Sequence, residues 1–391
     1  LVQQDGKPRL LEVVVTCQKD IEGEGQERVG IILFSRSGNV WNVSEIAQTP
    51  VNQQAASPAV AGTPVIFQAD RGRTLEIALK TKGHFGTPPL LNVWRLDETT
   101  GDWVVYGPQF PVELLGYLYS APTALDFDDD GLEELLVTEI GTGGSGTAVT
   151  VADFQQSGEV PICTLGLPEL DTGGKTARVI GTLAAARQDG TFYFTGTATT
   201  TETSSAIKQL FAYTIQHDPV RFSFQWSTGW LPGSDFYGNV PGPSLGDIDG
   251  DSDLDLVYLL NGGVLVKEGF LMAWDLADGE NTFCSLPIPF NPMIEEGGHY
   301  IRSQPVTGST ATQGNPSMAV FSCYISLLCG HDPAQGGAML SGFPSWSRDA
   351  GWSAPVLCDL DRDGIAEVFG SDYSGMATLY DLGTRYYTAD G

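Results

Sequence analysis

Three short segments of this chain share one acidic pattern. They are Asp126-Phe127-Asp128-Asp129-Asp130-Gly131-Leu132-Glu133-Glu134, Asp247-Ile248-Asp249-Gly250-Asp251-Ser252-Asp253-Leu254-Asp255 and Asp359-Leu360-Asp361-Arg362-Asp363-Gly364-Ile365-Ala366-Glu367. Each places carboxylates at positions 1, 3, 5 and 9, and each runs into an apolar segment of β type. A turn that gathers those positions makes a cage of oxygens. Such a cage suits a hard cation, and calcium takes six to eight oxygens at roughly 2.3–2.6 Å. One Asp-x-Asp-x-Asp-Gly segment is a modest signal; three, each leading into a strand, constrain the fold.

The copies begin at residues 126, 247 and 359. Half of that interval, about 58 residues, is where decayed copies of a repeat should lie. A small residue followed by proline and an apolar run recurs at Ser57-Pro58, Ala121-Pro122, Gly242-Pro243, Gln304-Pro305 and Ala354-Pro355. A unit without the proline starts near Ala177-Arg178-Val179-Ile180, and the chain start falls within another, near Asp5-Gly6-Lys7-Pro8. A second strand recurs at Val13, Glu76, Glu134, Thr191, Asp255, Met318 and Glu367, and a third is expected to end in an aromatic at Trp41, Trp94, Tyr213, Trp274 and Tyr380. Those aromatics stand at one repeat position, which makes them packing residues. Repeats of this length with several short strands each predict an all-β chain, a seven-bladed β-propeller of four-stranded antiparallel blades. The blades fall at about 1–50, 51–110, 111–165, 166–232, 233–290, 291–346 and 347–391, within one domain spanning 1–391.

The repeat resembles the FG-GAP family, the integrin-α-like (VCBS-type) calcium-binding propeller repeats. The resemblance covers the whole chain at the level of the repeat and is tight at the three acidic loops. It implies that each loop joins the first and second strands of a blade and holds one calcium ion, three in all. The ligands it implies are Asp126, Asp128, Asp130 and Glu134; Asp247, Asp249, Asp251 and Asp255; and Asp359, Asp361, Asp363 and Glu367. The backbone carbonyls at position 7 join them, from Leu132, Asp253 and Ile365. Two departures stand out. Position 9 is Glu in two loops, which asks for a wider cage, and position 6 of the middle loop is Ser252, where glycine best tolerates positive φ. A caged ion of this kind neutralises clustered carboxylates and pins a turn, which is a structural role.

The formal net charge is −28, and three divalent cations would cancel only a small part of it. A surface that acidic disfavours nucleic acid, whose binding rests on Lys and Arg against phosphates, and disfavours anionic membranes. No run approaches the ~18–20 apolar residues of a membrane span. Calcium dependence points to an extracellular setting, secreted or at the cell surface, where free calcium is plentiful. Residue 1 is Leu and the chain opens inside a repeat, so a longer precursor is expected. The six cysteines permit disulfides without specifying them. Cys323 and Cys329 flank a hairpin and can pair. Cys17 and Cys358 can meet if the ring closes. Cys163 and Cys284 occupy matching places a blade apart, beyond the ~7 Å Cα limit for a bridge.

Irregular features are the candidates for binding, because the repeat does not demand them. Aromatics cluster just before new units: Tyr117, Tyr119, Phe236, Tyr237, His299, Tyr300, Trp346 and Trp352. They either plug gaps between blades or form an aromatic face for sugars or a protein partner, opposite the acidic loops. Two Gly/Ser/Thr-rich stretches, 138–148 and 196–206, read as long loops between second and third strands. Catalytic groupings are thin: His84, His217, His299 and His331 have no metal-type spacing. The sequence therefore reads as a calcium-stabilised binding module for a protein or glycan partner, used in adhesion or recognition, and not as an enzyme. The alternatives are a lyase-like enzyme acting on extracellular polysaccharide and a structural subunit of a surface assembly.

Overall fold

In the computed structural model, the residues described are 12–21, 26–37, 40–48, 63–72, 75–81, 88–115, 120–140, 147–167, 170, 177–200, 208–229, 231, 242–261, 268–284, 288–289, 304–309, 318–324, 327–340, 343, 345–346, 354–358, 366–371 and 377–380. They form seven antiparallel sheets, each built from consecutive strands. The first comprises Glu12–Ile21, Gln26–Ser37 and Val40–Gln48; the second Val65–Phe67, Glu76–Lys80, Leu90–Leu96, Trp103–Val105 and Val112–Glu113. The third runs Thr123–Leu125, Glu134–Ile140, Thr147–Ala152, Ile162–Gly166, and the fourth Ala177–Gln188, Thr191–Thr200, Lys208–Gln216, Arg221–Ser227. The fifth is Ser244–Gly246, Asp255–Asn261, Glu268–Asp275, Asn281–Cys284 and Ile288–Pro289. The sixth is Val306–Ser309, Met318–Tyr324, Leu327–Asp332, Ala338–Met339 and Ser345–Trp346, and the seventh Val356–Cys358, Glu367–Ser371 and Ala377–Tyr380.

Five of the sheets follow a four-strand path. In the second, fifth and sixth, the fourth position is divided between two short strands that both pair with the third. The first and seventh sheets show three strands among the described residues. Trp41 differs from expectation: it lies at the start of Val40–Gln48, opposite Arg36, and does not end a third strand.

The chain packs as two compact units, Leu1–Pro168 with Ile215–Phe222, and Glu169–Thr214 with Ser223–Gly391. In the first, the strand Glu76–Lys80 is buried on both faces. Ile77 and Leu79 pack with Ile31 and Trp94, whereas Ala78 packs with Phe67, Leu91, Val93, Leu135 and Val137. Side chains alternate across a strand with period 2, so one strand can supply two cores. In the second unit, Leu256, Tyr258 and Leu260 join Leu210, Ala212 and Trp226, while Val257 and Leu259 join Val320 and Cys329. Ala319, Phe321 and Leu328 pack in turn with Val368. Burial on both faces explains why the second strands read as continuous apolar runs. Of the repeat aromatics, Trp94, Tyr213 and Trp274 are buried.

Candidate metal centre in the acidic loops

The loops at 126–134 and 247–255 each join the first and second strands of their sheet, and position 9 opens the second strand in both. They share one hydrogen-bond frame. The position 1 carboxylate accepts from the N–H of position 6, Asp126 from Gly131 at 3.0 Å and Asp247 from Ser252 at 3.2 Å. Position 3 accepts from position 5, Asp128 from Asp130 at 3.0 Å and Asp249 from Asp251 at 3.3 Å. Position 5 accepts from position 7, Asp130 from Leu132 at 2.8 Å and Asp251 from Asp253 at 2.9 Å. Position 9 accepts from position 2, Glu134 from Phe127 at 3.0 Å and Asp255 from Ile248 at 2.9 Å. The backbone winds tightly enough for this only with positive φ at positions 4 and 6: Asp129 (61°) and Gly131 (88°) in one loop, Gly250 (85°) and Ser252 (83°) in the other.

The two loops differ in what is left over. In 126–134, Asp126 Oδ1 and Glu134 Oε1 are buried with no hydrogen-bond partner. Asp126, Asp128 and Glu134 bring ligand atoms to within 4.8 Å of one another. Burial pushes the Glu134 carboxyl up to about 9, and the nearby charges of Asp128, Asp153 and Asp126 add to the rise. Burial likewise raises Asp128. In 247–255, Asp247, Asp249 and Asp251 converge at the surface. There, Asp247 also takes the N–H of Gly250 at 2.7 Å, and Asp255 spends its second oxygen on the Thr282 hydroxyl at 2.5 Å. Asp249, Asp253 and Asp255 are all raised, first by desolvation and then, among other causes, by neighbouring carboxylates. Asp130 and Asp255 are not among the converging side chains of their loops.

Asp359, Asp361, Asp363 and Ile365 lie outside the described residues; Glu367 is buried and opens its second strand, as Glu134 and Asp255 do. Tyr117, Tyr119, Phe236, Tyr237, His299, Tyr300 and Trp352 also lie outside them. Trp346 belongs to the short strand Ser345–Trp346, and its side chain is outside what is described. Only the ends of the two stretches expected as long loops are strand: 138–140 and 147–148 belong to Glu134–Ile140 and Thr147–Ala152, and 196–200 to Thr191–Thr200, while 141–146 and 201–206 lie outside the described residues. Polar Thr-rich composition gave way there to buried, paired backbone. Cys329 is in no disulfide, so the Cys323–Cys329 bridge is not formed. The register pairs Cys329 with Ser322 and Cys323 with Leu328, so the two cysteines stand one step out of alignment. Cys163 is a free thiol, and the side chains of Cys17 and Cys358 lie outside what is described.

Three groups escaped sequence reasoning. Glu76 is the position 9 residue of a decayed loop: its Oε2 accepts from the Ala69 N–H at 2.7 Å and its Oε1 is buried without a partner. The signal was present, since Glu76 opens its strand as Glu134 does. Asp153 and His217 come from outside the repeat motif and converge with Asp128. Asp153 directly follows the third strand of its sheet, a place matched in the fifth sheet by Asp275, which ends Glu268–Asp275 opposite Asp255. His217 had no sequence signal.

Seven antiparallel sheets of consecutive strands among the described residues, two of them with a cluster of converging carboxylates in the loop between first and second strands, define an all-β chain of the β-propeller class. No protein-family profile matches the sequence, and no curated protein matches it. Solved structures do. The chain is similar to BBS1N in complex with ARL6DN, at TM-score 0.50 and 12% identity, covering 95% of this chain and 93% of that one. It is also similar to the Dos1 propeller, at TM-score 0.45 and 9% identity, covering 92% and 75%. A third similarity is to the exotype rhamnogalacturonan lyase YesX, at TM-score 0.43 and 16% identity, covering 92% and 65%. At these identities the likeness is one of fold. Among the described residues no helix is long and apolar enough to cross a membrane.

Proposed function

We propose that this chain is a calcium-stabilised recognition module, a seven-bladed propeller of the FG-GAP type, secreted or displayed at a cell surface, that binds a protein or glycan partner. The observation that carries the calcium reading is the loop 126–134. It buries Asp126 Oδ1 and Glu134 Oε1 with no hydrogen-bond partner, beside Asp128. Buried polar atoms are nearly always satisfied, and two orphaned carboxylate oxygens beside a third carboxylate have one economical partner, a hard divalent cation. Calcium would supply what the backbone frame leaves open. The loop 247–255 offers a shallower version of the same set, and 359–367 is assigned on its sequence.

The recognition role rests on the fold class and on the calcium role. A metal locked into a turn by carboxylates and backbone groups stiffens the sheet edge that bears it. The opposite loop face is then free to vary for binding, which suits adhesion. The test is a thermal melt with calcium and with chelator, paired with a glycan array and surface-extract pull-down under the same two conditions. A melt shifted up by calcium together with calcium-dependent capture of one partner supports the proposal. An identical melt in both conditions sinks the calcium reading, and retention of nothing sinks the recognition role in favour of a structural subunit.

A further inference from the structure

Asp128, Asp153 and His217 bring ligand atoms to within 4.8 Å of one another beside the acidic loop, in the same compact unit. His217 lies at the hairpin tip between Lys208–Gln216 and Arg221–Ser227, its ring against Phe127 with centroids 6.0 Å apart. We propose that these three residues form a second metal site, for a first-row divalent ion of the zinc class, distinct from the oxygen cage of the loop.

The first support is the unusual state of Asp153. Aspartates at the matching place, at or just past the end of a third strand, have a structural task. Asp97 caps its turn by accepting from the N–H groups of Thr99 and Thr100, and Asp275 caps its own by accepting from Ala277 and Asp278. Asp153 does neither. Its carboxylate is turned inward with Oδ1 buried and unpartnered, its Oδ2 accepts only a 3.3 Å contact from Gln155 Nε2, and its side chain is 10% exposed. An inward carboxylate at that cost calls for a positive partner in the site.

The second support is distance. His217 Nε2 stands 3.4 Å from Asp128 Oδ2 and 3.7 Å from Asp153 Oδ2. A charge-assisted hydrogen bond from imidazolium to carboxylate closes to about 2.7–2.9 Å. Ligands held about 2.0–2.1 Å from one tetrahedral zinc ion stand roughly 3.3–3.4 Å apart. The spacing thus suits an intervening ion better than direct pairing. Asp128 is already arranged for it: Oδ1 holds the Asp130 N–H, leaving Oδ2 toward His217.

The chemistry of the donors sets the metal class. Calcium takes oxygen ligands alone, whereas an imidazole with carboxylates suits zinc, cobalt or nickel. Three protein ligands leave one position of a tetrahedron for water, and the His217 side chain, 35% exposed, leaves that position open to solvent. The site shares Asp128 with the loop and does not require calcium to occupy it.

The experiment titrates the full chain with zinc alone, by calorimetry in saturating calcium, and repeats it with cobalt, whose tetrahedral form absorbs in the visible. The expected result is one tight equivalent that excess calcium does not displace. His217→Asn and Asp153→Asn should each weaken it by more than the roughly 10–100-fold that losing a mere hydrogen-bond partner of a metal ligand costs. Glu134→Gln, which contributes no ligand atom to this site, should blunt the calcium response and keep the zinc. Zinc binding that survives His217→Asn, that calcium displaces, or that is lost with Glu134→Gln overturns the proposal, as does no binding at all. Failure of the calcium melt with zinc binding intact would sink the oxygen cage and leave this site standing.

Discussion

Glu134 accepts the backbone N–H of Phe127 at 3.0 Å on one carboxylate oxygen and buries the other with no partner. The first bond fixes the turn, and the second oxygen is what a cation would use. Removing the charge while keeping the shape separates the two roles. Calcium at about 100 times its Kd should stabilise the native chain by about 2.7 kcal/mol. Glu134→Gln should lose most of that gain. In chelator it should melt no lower than the parent, because burial already favours the neutral form there. Paired melts in calcium and chelator decide it.

Ser252 and Asp129 carry positive φ in places where the sister loop has glycine: Ser252 corresponds to Gly131, and Asp129 to Gly250. An L-residue in that region costs roughly 1–2 kcal/mol that glycine avoids, partly offset by glycine's greater chain entropy. Ser252→Gly should therefore stabilise by about 1 kcal/mol, and Gly131→Ser should destabilise by a similar amount. Urea melts in calcium, with unchanged slope, measure both.

The acidic repeat made most of this fold legible. Carboxylates at positions 1, 3, 5 and 9 located a turn, and position 9 marked where the second strand begins, at Glu134, Asp255 and Glu367 alike. Buried period-2 strands explained the apolar runs around Ala78 and Val257. What periodicity cannot show is a contact made across repeats. His217 meets Asp128 from 89 positions away, through a hairpin whose sequence says nothing of where its tip lands. The strand Thr191–Thr200 runs into a stretch whose Gly/Ser/Thr composition predicts a loop, yet Thr195 and Thr197 are inaccessible. Tertiary context overrode local composition there.

Glu76 gives a pH dependence with a definite sign. Burial raises its carboxyl to about 8 against an ordinary 4.5. Between those values the folded chain holds a proton that the unfolded chain has lost, so this group's contribution is complete below 4.5 and is lost as pH rises through 8. In chelator, the melting temperature should fall between pH 5 and pH 9, and Glu76→Gln should flatten part of that fall. A variant whose pH profile overlays the parent's would place the loss elsewhere.

Lys80 runs the other way. Its ammonium group is buried, donating to Ser120 Oγ and to the Thr138 carbonyl, both at 2.8 Å. Burial lowers it to about 7 from 10.5, against a smaller opposing pull from Glu139. Between 7 and 10.5 the unfolded chain binds the extra proton, so the contribution of Lys80 to stability rises with pH across that window and is lost as pH falls through 7. Lys80→Met keeps the length of the side chain and removes both the titration and the two hydrogen bonds. At pH 9.5 the variant should be less stable by about 1–3 kcal/mol, the cost of leaving buried polar partners unsatisfied. At pH 6 the deficit should shrink, because there the native chain bears the cost of a buried charge or of neutralising it. Denaturant melts at the two pH values read the difference directly. A deficit that is constant or grows toward acid would mean that Lys80 is held charged throughout.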